Sequence, residues 1–223
     1  PVPGVILKLI LNGDKLEVRV KGPGVTPGYY RHPELTASAF DEEGFYIIGD
    51  AVRFADPDDP SKGLFFDGRV SEDFKLASGT WVSVGELRVA GIDALVPWVQ
   101  DVVVSGHGRD EIGFLLIANE AACRACAGLP DDASLADVLA SDAVRDKIAA
   151  GLRSLKAQGG GSSRYATRAR FLLAPPNPDA GEITDKAYLN QRQMIANRAS
   201  DVEALFGDRP DDFIDLKQAE VPA

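Results

Sequence analysis

The chain has 223 residues, 45% hydrophobic and 26% charged, enough for one large domain or a medium domain plus a smaller piece. A formal net charge of −10 argues against a nucleic-acid partner, because Arg164, Arg168 and Arg170 are too thinly spaced to make a basic stripe. No run approaches the ~20 apolar residues that cross a bilayer, so no membrane partner is expected either.

The first seventy residues read as strands and turns. Apolar runs at 5–11 and 16–20 flank Asn12-Gly13-Asp14, a hairpin signal because Asn and Gly tolerate positive φ. A Gly/Pro-rich turn follows at 22–30, then short strands at 45–48 and 64–66 around an acidic loop at 56–60. Residues 1–11 hold two prolines and no basic leader, so they do not read as a signal peptide. A start at Pro1 suggests a piece of a longer polypeptide.

After Arg69 the pattern changes. A short strand at 81–84 and a helix at 86–95 precede apolar strands at 99–105 and 113–119. Leu135, Val138, Leu139, Val144, Ile148, Leu152 and Leu155 return at the helical period, which predicts one amphipathic helix over 134–158, stopped by Gly159-Gly160-Gly161. A strand at 168–174, a Pro/Gly loop at 175–181, a last helix at 188–206 and a loosely held tail from Gly207 complete an α+β fold. Cys123 and Cys126 sit three apart in a helical stretch, which excludes a disulfide framework and favours a reducing cytoplasm. With His32 and His107 the only histidines and no second cysteine pair, no metal site is expected.

Three runs carry chemistry: Tyr46-Ile47-Ile48-Gly49-Asp50; Phe65-Phe66-Asp67-Gly68-Arg69 continuing through Ser71 to Glu72-Asp73-Phe74-Lys75-Leu76; and Gly181-Glu182-Ile183-Thr184-Asp185-Lys186. In this order and at these separations they resemble the carboxyl-terminal part of the AMP-forming acyl-CoA synthetases. The feruloyl-CoA synthetase group carries very similar Glu-Asp-Phe-Lys-Leu and Glu-Ile-Thr-Asp-Lys runs. The resemblance implies that residues 1–70 are the β-rich, barrel-like end of a large adenylating domain. Residues 71–223 would be a small mobile α+β lid, a short sheet with flanking helices.

It also implies roles. Asp50 would contact the ribose of ATP and Arg69 would reach the nucleotide; the bland readings are a turn aspartate and a surface salt bridge. Ser71 stands at the hinge, where many members carry Asp. Lys75, Gly79, Gly85 and Glu86 belong to the hairpin expected to meet coenzyme A during thioester formation, with Trp81 near the place of a common arginine. Lys75 could equally be a solvated strand residue.

Lys186 would be the catalytic cation. Adenylation brings a carboxylate against the α-phosphate, and a fixed ammonium offsets the charge that accumulates there. Its bland reading is a lysine in the first turn of the last helix, a poor site for a cation. The usual family run is Thr-Gly-Lys, whereas Thr184-Asp185-Lys186 stands here, with a carboxylate able to orient the lysine.

Implied substrates are ATP (leaving as AMP) with Mg2+, coenzyme A, and a small carboxylic acid of aromatic, feruloyl-like type. The implied partner is the remainder of the amino-terminal domain, and the oligomeric state stays open. The alternatives are adenylation feeding a carrier protein, or a non-catalytic scaffold with the same fold. The phosphate-gripping Ser/Thr/Gly-rich loop of the family is not among these residues, so the isolated chain is expected to be inactive.

Overall fold

Ile6–Asn12 (β1) and Lys15–Lys21 (β2) pair antiparallel, from Ile6 opposite Lys21 to Asn12 opposite Lys15. Gly13 turns between them at φ +68°, a conformation that a side chain would oppose. The computed structural model describes residues 2–13 and 15–216, so Asp14 of the expected turn lies outside the described residues, as do Pro1 and the tail beyond Leu216. The chain divides between Asp73 and Phe74 into two units.

In the first unit a short helix, Pro33–Ser38 (α1), opens with proline at its first position, where the missing N–H costs nothing. Tyr46–Phe54 (β3) and Leu64–Arg69 (β4) then complete an antiparallel sheet in the order β1-β2-β3-β4. The strand expected over 45–48 runs on to Phe54, so Asp50 lies inside a strand and not at its end. What interrupts the strand is a bulge. Val18 pairs with Asp50 but Arg19 pairs with Ile47, which leaves Ile48 and Gly49 as extra residues.

The second unit opens with a small hairpin, Phe74–Lys75 (β5) and Trp81–Val82 (β6). Val84–Leu95 (α2), Val99–Ser105 (β7), Gly113–Ala118 (β8), Glu120–Ala127 (α3), Leu135–Ala140 (α4), Asp142–Ala157 (α5) and Arg168–Leu172 (β9) follow. Gln191–Asn197 (α6), Ala199–Leu205 (α7) and Ile214–Asp215 (β10) close it. The sheet order is β10-β9-β8-β7, with β8 and β9 parallel and joined by a crossover through α3, α4 and α5. Both faces are covered, which is why Val102–Val104 of β7 and Phe114–Ile117 of β8 are unbroken apolar runs. Val102, Val104, Phe114 and Leu116 pack with Leu87 and Leu95 of α2 and Ile148 and Leu152 of α5. Val103, Leu115 and Ile117 pack with Met194 of α6 and Leu205 of α7. The α+β class expected from the sequence is the class observed.

Three expectations about elements need correction. The helix over 134–158 is two helices, because Ser141 takes an extended conformation (ψ 141°) and serves as the end of α4 and the start of α5. The helix over 188–206 starts only at Gln191, capped by Asn190, and breaks again at Arg198. The tail is tied down as far as Leu216: Phe213, Ile214 and Leu216 are buried, and β10 pairs with β9. Among the described residues no helix is long and apolar enough to cross a membrane.

Candidate functional site

In the first unit the Gly-Asp and Gly-Arg pairs share one explanation. Gly49 (φ +79°) and Gly68 (φ +89°) are bulge residues on neighbouring strands, each just before the charged residue. The two bulges bring Asp50 directly opposite Arg69. Arg69 Nε donates to Asp50 Oδ1 at 3.1 Å, and Nη2 donates to the carbonyl of Ile48 at 3.3 Å. The salt bridge offered as the bland reading of Arg69 therefore exists. Its side chains are 51% and 30% exposed, so it contributes little to stability. Asp50 Oδ2 and Arg69 Nη1 keep their hydrogen-bonding capacity: no further partner holds them among the described residues. Ser71 follows in an exposed turn in which the N–H groups of Glu72 and Asp73 both donate to the Arg69 carbonyl.

In the second unit the β5–β6 hairpin carries an exposed tip, 77–80, with Gly79 at φ +83° and open space where a side chain would stand. Lys75 is exposed and lies over the Trp81 ring at 5.0 Å, so the tryptophan seats the lysine by a cation–π contact. The hairpin base is stapled to the β7–β8 turn: Gly108 N–H donates to the Lys75 carbonyl (2.9 Å) and Ala77 N–H to that of Arg109 (2.8 Å). Gly85 and Glu86 are not part of this hairpin. They occupy the first turn of α2, and Glu86 pairs with Arg164.

Lys186 sits at the tip of a turn closed by a bridge between Ile183 and Leu189, not on a helix. Thr184 N–H donates to the Tyr188 carbonyl (2.8 Å), and Ala187, at φ +60°, donates to the Thr184 carbonyl (2.8 Å). Lys186 is exposed, and no hydrogen bond or ion pair holds its ammonium among the described residues. Asp185, expected as a possible orienting carboxylate, makes no ion pair with it.

The residues that hold this turn escaped the sequence reading. Glu182 is 1% exposed, accepts two bonds from Arg198 (both 2.8 Å) and a third from Asn177 N–H (2.7 Å). The Arg198 guanidinium, then the Asn177 N–H, hold the Glu182 carboxyl down to a pKa of about 2 against the opposing effect of burial. Gln191 is 4% exposed, and its amide bonds both the N–H (3.1 Å) and the carbonyl (2.6 Å) of Val104 in the edge strand β7. Only the identity of Glu182, a carboxylate directly after the Pro/Gly loop, could have hinted at such an anchor.

Among the described residues no group of three or more His, Cys, Asp or Glu could hold a metal ion. Burial pushes the Cys123 thiol up to about 11, which makes it a core residue and not a ligand or nucleophile.

No family model matches the chain. A putative fatty-acid–CoA ligase of Mycobacterium tuberculosis is 31% identical over 210 residues, 92% of this chain and 34% of the ligase. A carboxylic acid reductase of Segniliparus rugosus is 26% identical over 192 residues, 85% of this chain and 15% of the reductase. The adenylation domain of a Mycobacterium chelonae carboxylate reductase superposes with a TM-score of 0.72 at 26% identity, over 92% of this chain and 32% of that domain. The fold is that of the adenylate-forming, AMP-binding superfamily. An A-PCP didomain of the Segniliparus rugosus reductase, solved with AMP, shows the same fold at 23% identity (TM-score 0.70, 92% of this chain, 28% of that one). The chain thus spans about a third or less of these adenylate-forming relatives.

Proposed function

We propose that these residues are the carboxyl-terminal portion of an acid–thiol ligase that joins a carboxylic acid, of aromatic feruloyl-like type, to coenzyme A at the expense of ATP. One carboxylate oxygen of the acid attacks the α-phosphorus of ATP and pyrophosphate leaves. The sulfur of the thiolate then attacks the acyl carbon, and AMP leaves. The observation that carries this reading is Lys186, an exposed ammonium without a partner among the described residues, on a turn flanked by the buried Glu182 and Leu189. A cation so placed is available to a developing phosphate charge and, on a swinging unit, can be withdrawn afterwards.

Asp50 would accept the ribose hydroxyls through its uncommitted oxygen while Arg69 keeps the carboxylate aimed and offers its remaining donors to the nucleotide. Mg2+ would arrive with ATP as part of the substrate. Ser71, just before the division between the units, would be the hinge. The exposed Gly79 tip, with Lys75 seated on Trp81, would meet the pantetheine arm, and an unobstructed glycine suits so thin a ligand.

A carrier-borne thiol is the second reading, favoured by the likeness to an A-PCP didomain. Offering both acceptors to the full-length polypeptide and finding which is acylated separates the two. The test of the central claim is Lys186→Ala in that polypeptide. ATP–pyrophosphate exchange should fall about 100-fold or more, while thioester formation from a supplied acyl-adenylate stays within a few-fold. Unchanged exchange would leave only a scaffold with this fold.

A further inference from the structure

We infer that Glu182 and Arg198 are positioning residues for Lys186, fixing the turn that carries it, with Gln191 as a second anchor on the far side. The inference rests on the catalytic reading of Lys186 given above. A surface connection of this length normally samples many conformations. Here the turn from Ile183 to Leu189 is held by polar anchors at both ends.

On the near side Glu182 binds in several directions at once. Its carboxylate takes both prongs of Arg198 and the Asn177 N–H, its own N–H donates to the Asn177 carbonyl (3.1 Å), and its carbonyl accepts the Asn190 N–H (2.8 Å). The last bond ties the entry of the turn to its exit. Arg198 adds a bond from Nη2 to the Pro175 carbonyl at 3.0 Å, and Asn197 Nδ2 donates to the Ala180 carbonyl at 3.1 Å. On the far side Gln191 locks the start of α6 to both main-chain groups of Val104.

Apolar residues of similar size would stabilise this spot as well or better, since a buried ion pair recovers little more than its desolvation. What directional, bidentate bonds add is a single geometry. An ammonium that must meet a transition state benefits from that: misplacing a reacting group by about 1 Å costs roughly 100-fold. No partner holds the Lys186 side chain among the described residues, so the placement of its backbone is what aims it.

The experiment uses the full-length polypeptide and measures both half-reactions. Glu182→Gln keeps the shape and removes the charge. It should lower kcat for adenylation about 10- to 100-fold, leave KM for ATP and acid within about threefold, and leave thioester formation from supplied acyl-adenylate unchanged. Arg198→Lys, which keeps the charge and loses the fork, should act in the same direction and serves if Glu182→Gln does not fold. Gly151→Ala on α5, far in sequence from the turn, lowers stability without touching it and should leave adenylation at the parent rate below its melting temperature. Normal adenylation by folded Glu182→Gln or Arg198→Lys, beside a crippled Lys186→Ala, overturns the positioning role alone. Normal adenylation by Lys186→Ala overturns the reading on which it rests, and the positioning role with it.

Discussion

Replacing Glu182 by Gln in the 223-residue chain should destabilise the second unit in a pH-dependent way. The ordinary carboxyl value of 4.5 is lowered to about 2 by the Arg198 guanidinium and the Asn177 N–H. A fall of roughly 2.5 in pKa, at about 1.4 kcal/mol each, makes the ionised side chain worth about 3–4 kcal/mol. Because the folded value lies below the unfolded one, this stability is complete above pH 4.5 and drains away as pH falls toward 2. The side chain is only 2% exposed, so solvent screening removes little of it, and the variant also strands part of the Arg198 charge. Urea unfolding followed by tryptophan fluorescence reads the right unit, since Trp81 and Trp98 are the only tryptophans and both lie beyond Asp73. Asp41, held below the usual carboxylate range first by the Phe45 N–H, is common to parent and variant and cancels from their difference. Parent and variant should differ by about 3–4 kcal/mol from pH 5 to 7 and converge near pH 2. A difference that does not change with pH would refute the assignment of the stability to this ionised carboxylate.

Two further outcomes follow from packing. At Gly151 a Cβ would stand 2.4 Å from the Ala94 carbonyl oxygen and 2.7 Å from Leu95 Cδ2, where α5 crosses α2. Gly151→Ala should therefore cost about 1–3 kcal/mol in urea unfolding although alanine is the better helix former; a neutral or stabilising result would show that the helices can part freely. At pH 8 a thiol reagent should label Cys126 in the native chain and reach the fully buried Cys123, whose thiol burial keeps protonated, only after unfolding. Two fast thiols in the native chain would contradict the burial.

The motif residues were legible in the sequence because their chemistry is local. Glycine before Asp50 and before Arg69 announces a backbone that other residues avoid, and the structure makes both glycines bulges. Lys186 could be singled out in the same way, although the helix assigned to its neighbourhood was wrong. Asn190 caps α6 four residues beyond it, and Leu189, inside the expected helix, bridges Ile183 instead. The break at Ser141 left only a faint trace, a five-residue step from Leu139 to Val144 where no other apolar step exceeds four, and the extended backbone at Ser141 absorbs it.

From the sequence alone came the alternation of strands and helices, the Asn-Gly hairpin and the candidate charged residues, since each depends on a residue and its nearest neighbours. The tertiary structure alone decided that Asp50 faces Arg69, that Lys75 rests on Trp81, and that Glu182 meets Arg198 sixteen positions later and Gln191 meets Val104 across eighty-seven. No helical or strand period links such partners. The buried partners, Glu182 with Arg198 and Gln191 with Val104, meet because burying both apolar faces of the β7–β10 sheet fixes where the chain crosses, and polar groups trapped beneath that crossing must find their bonds there.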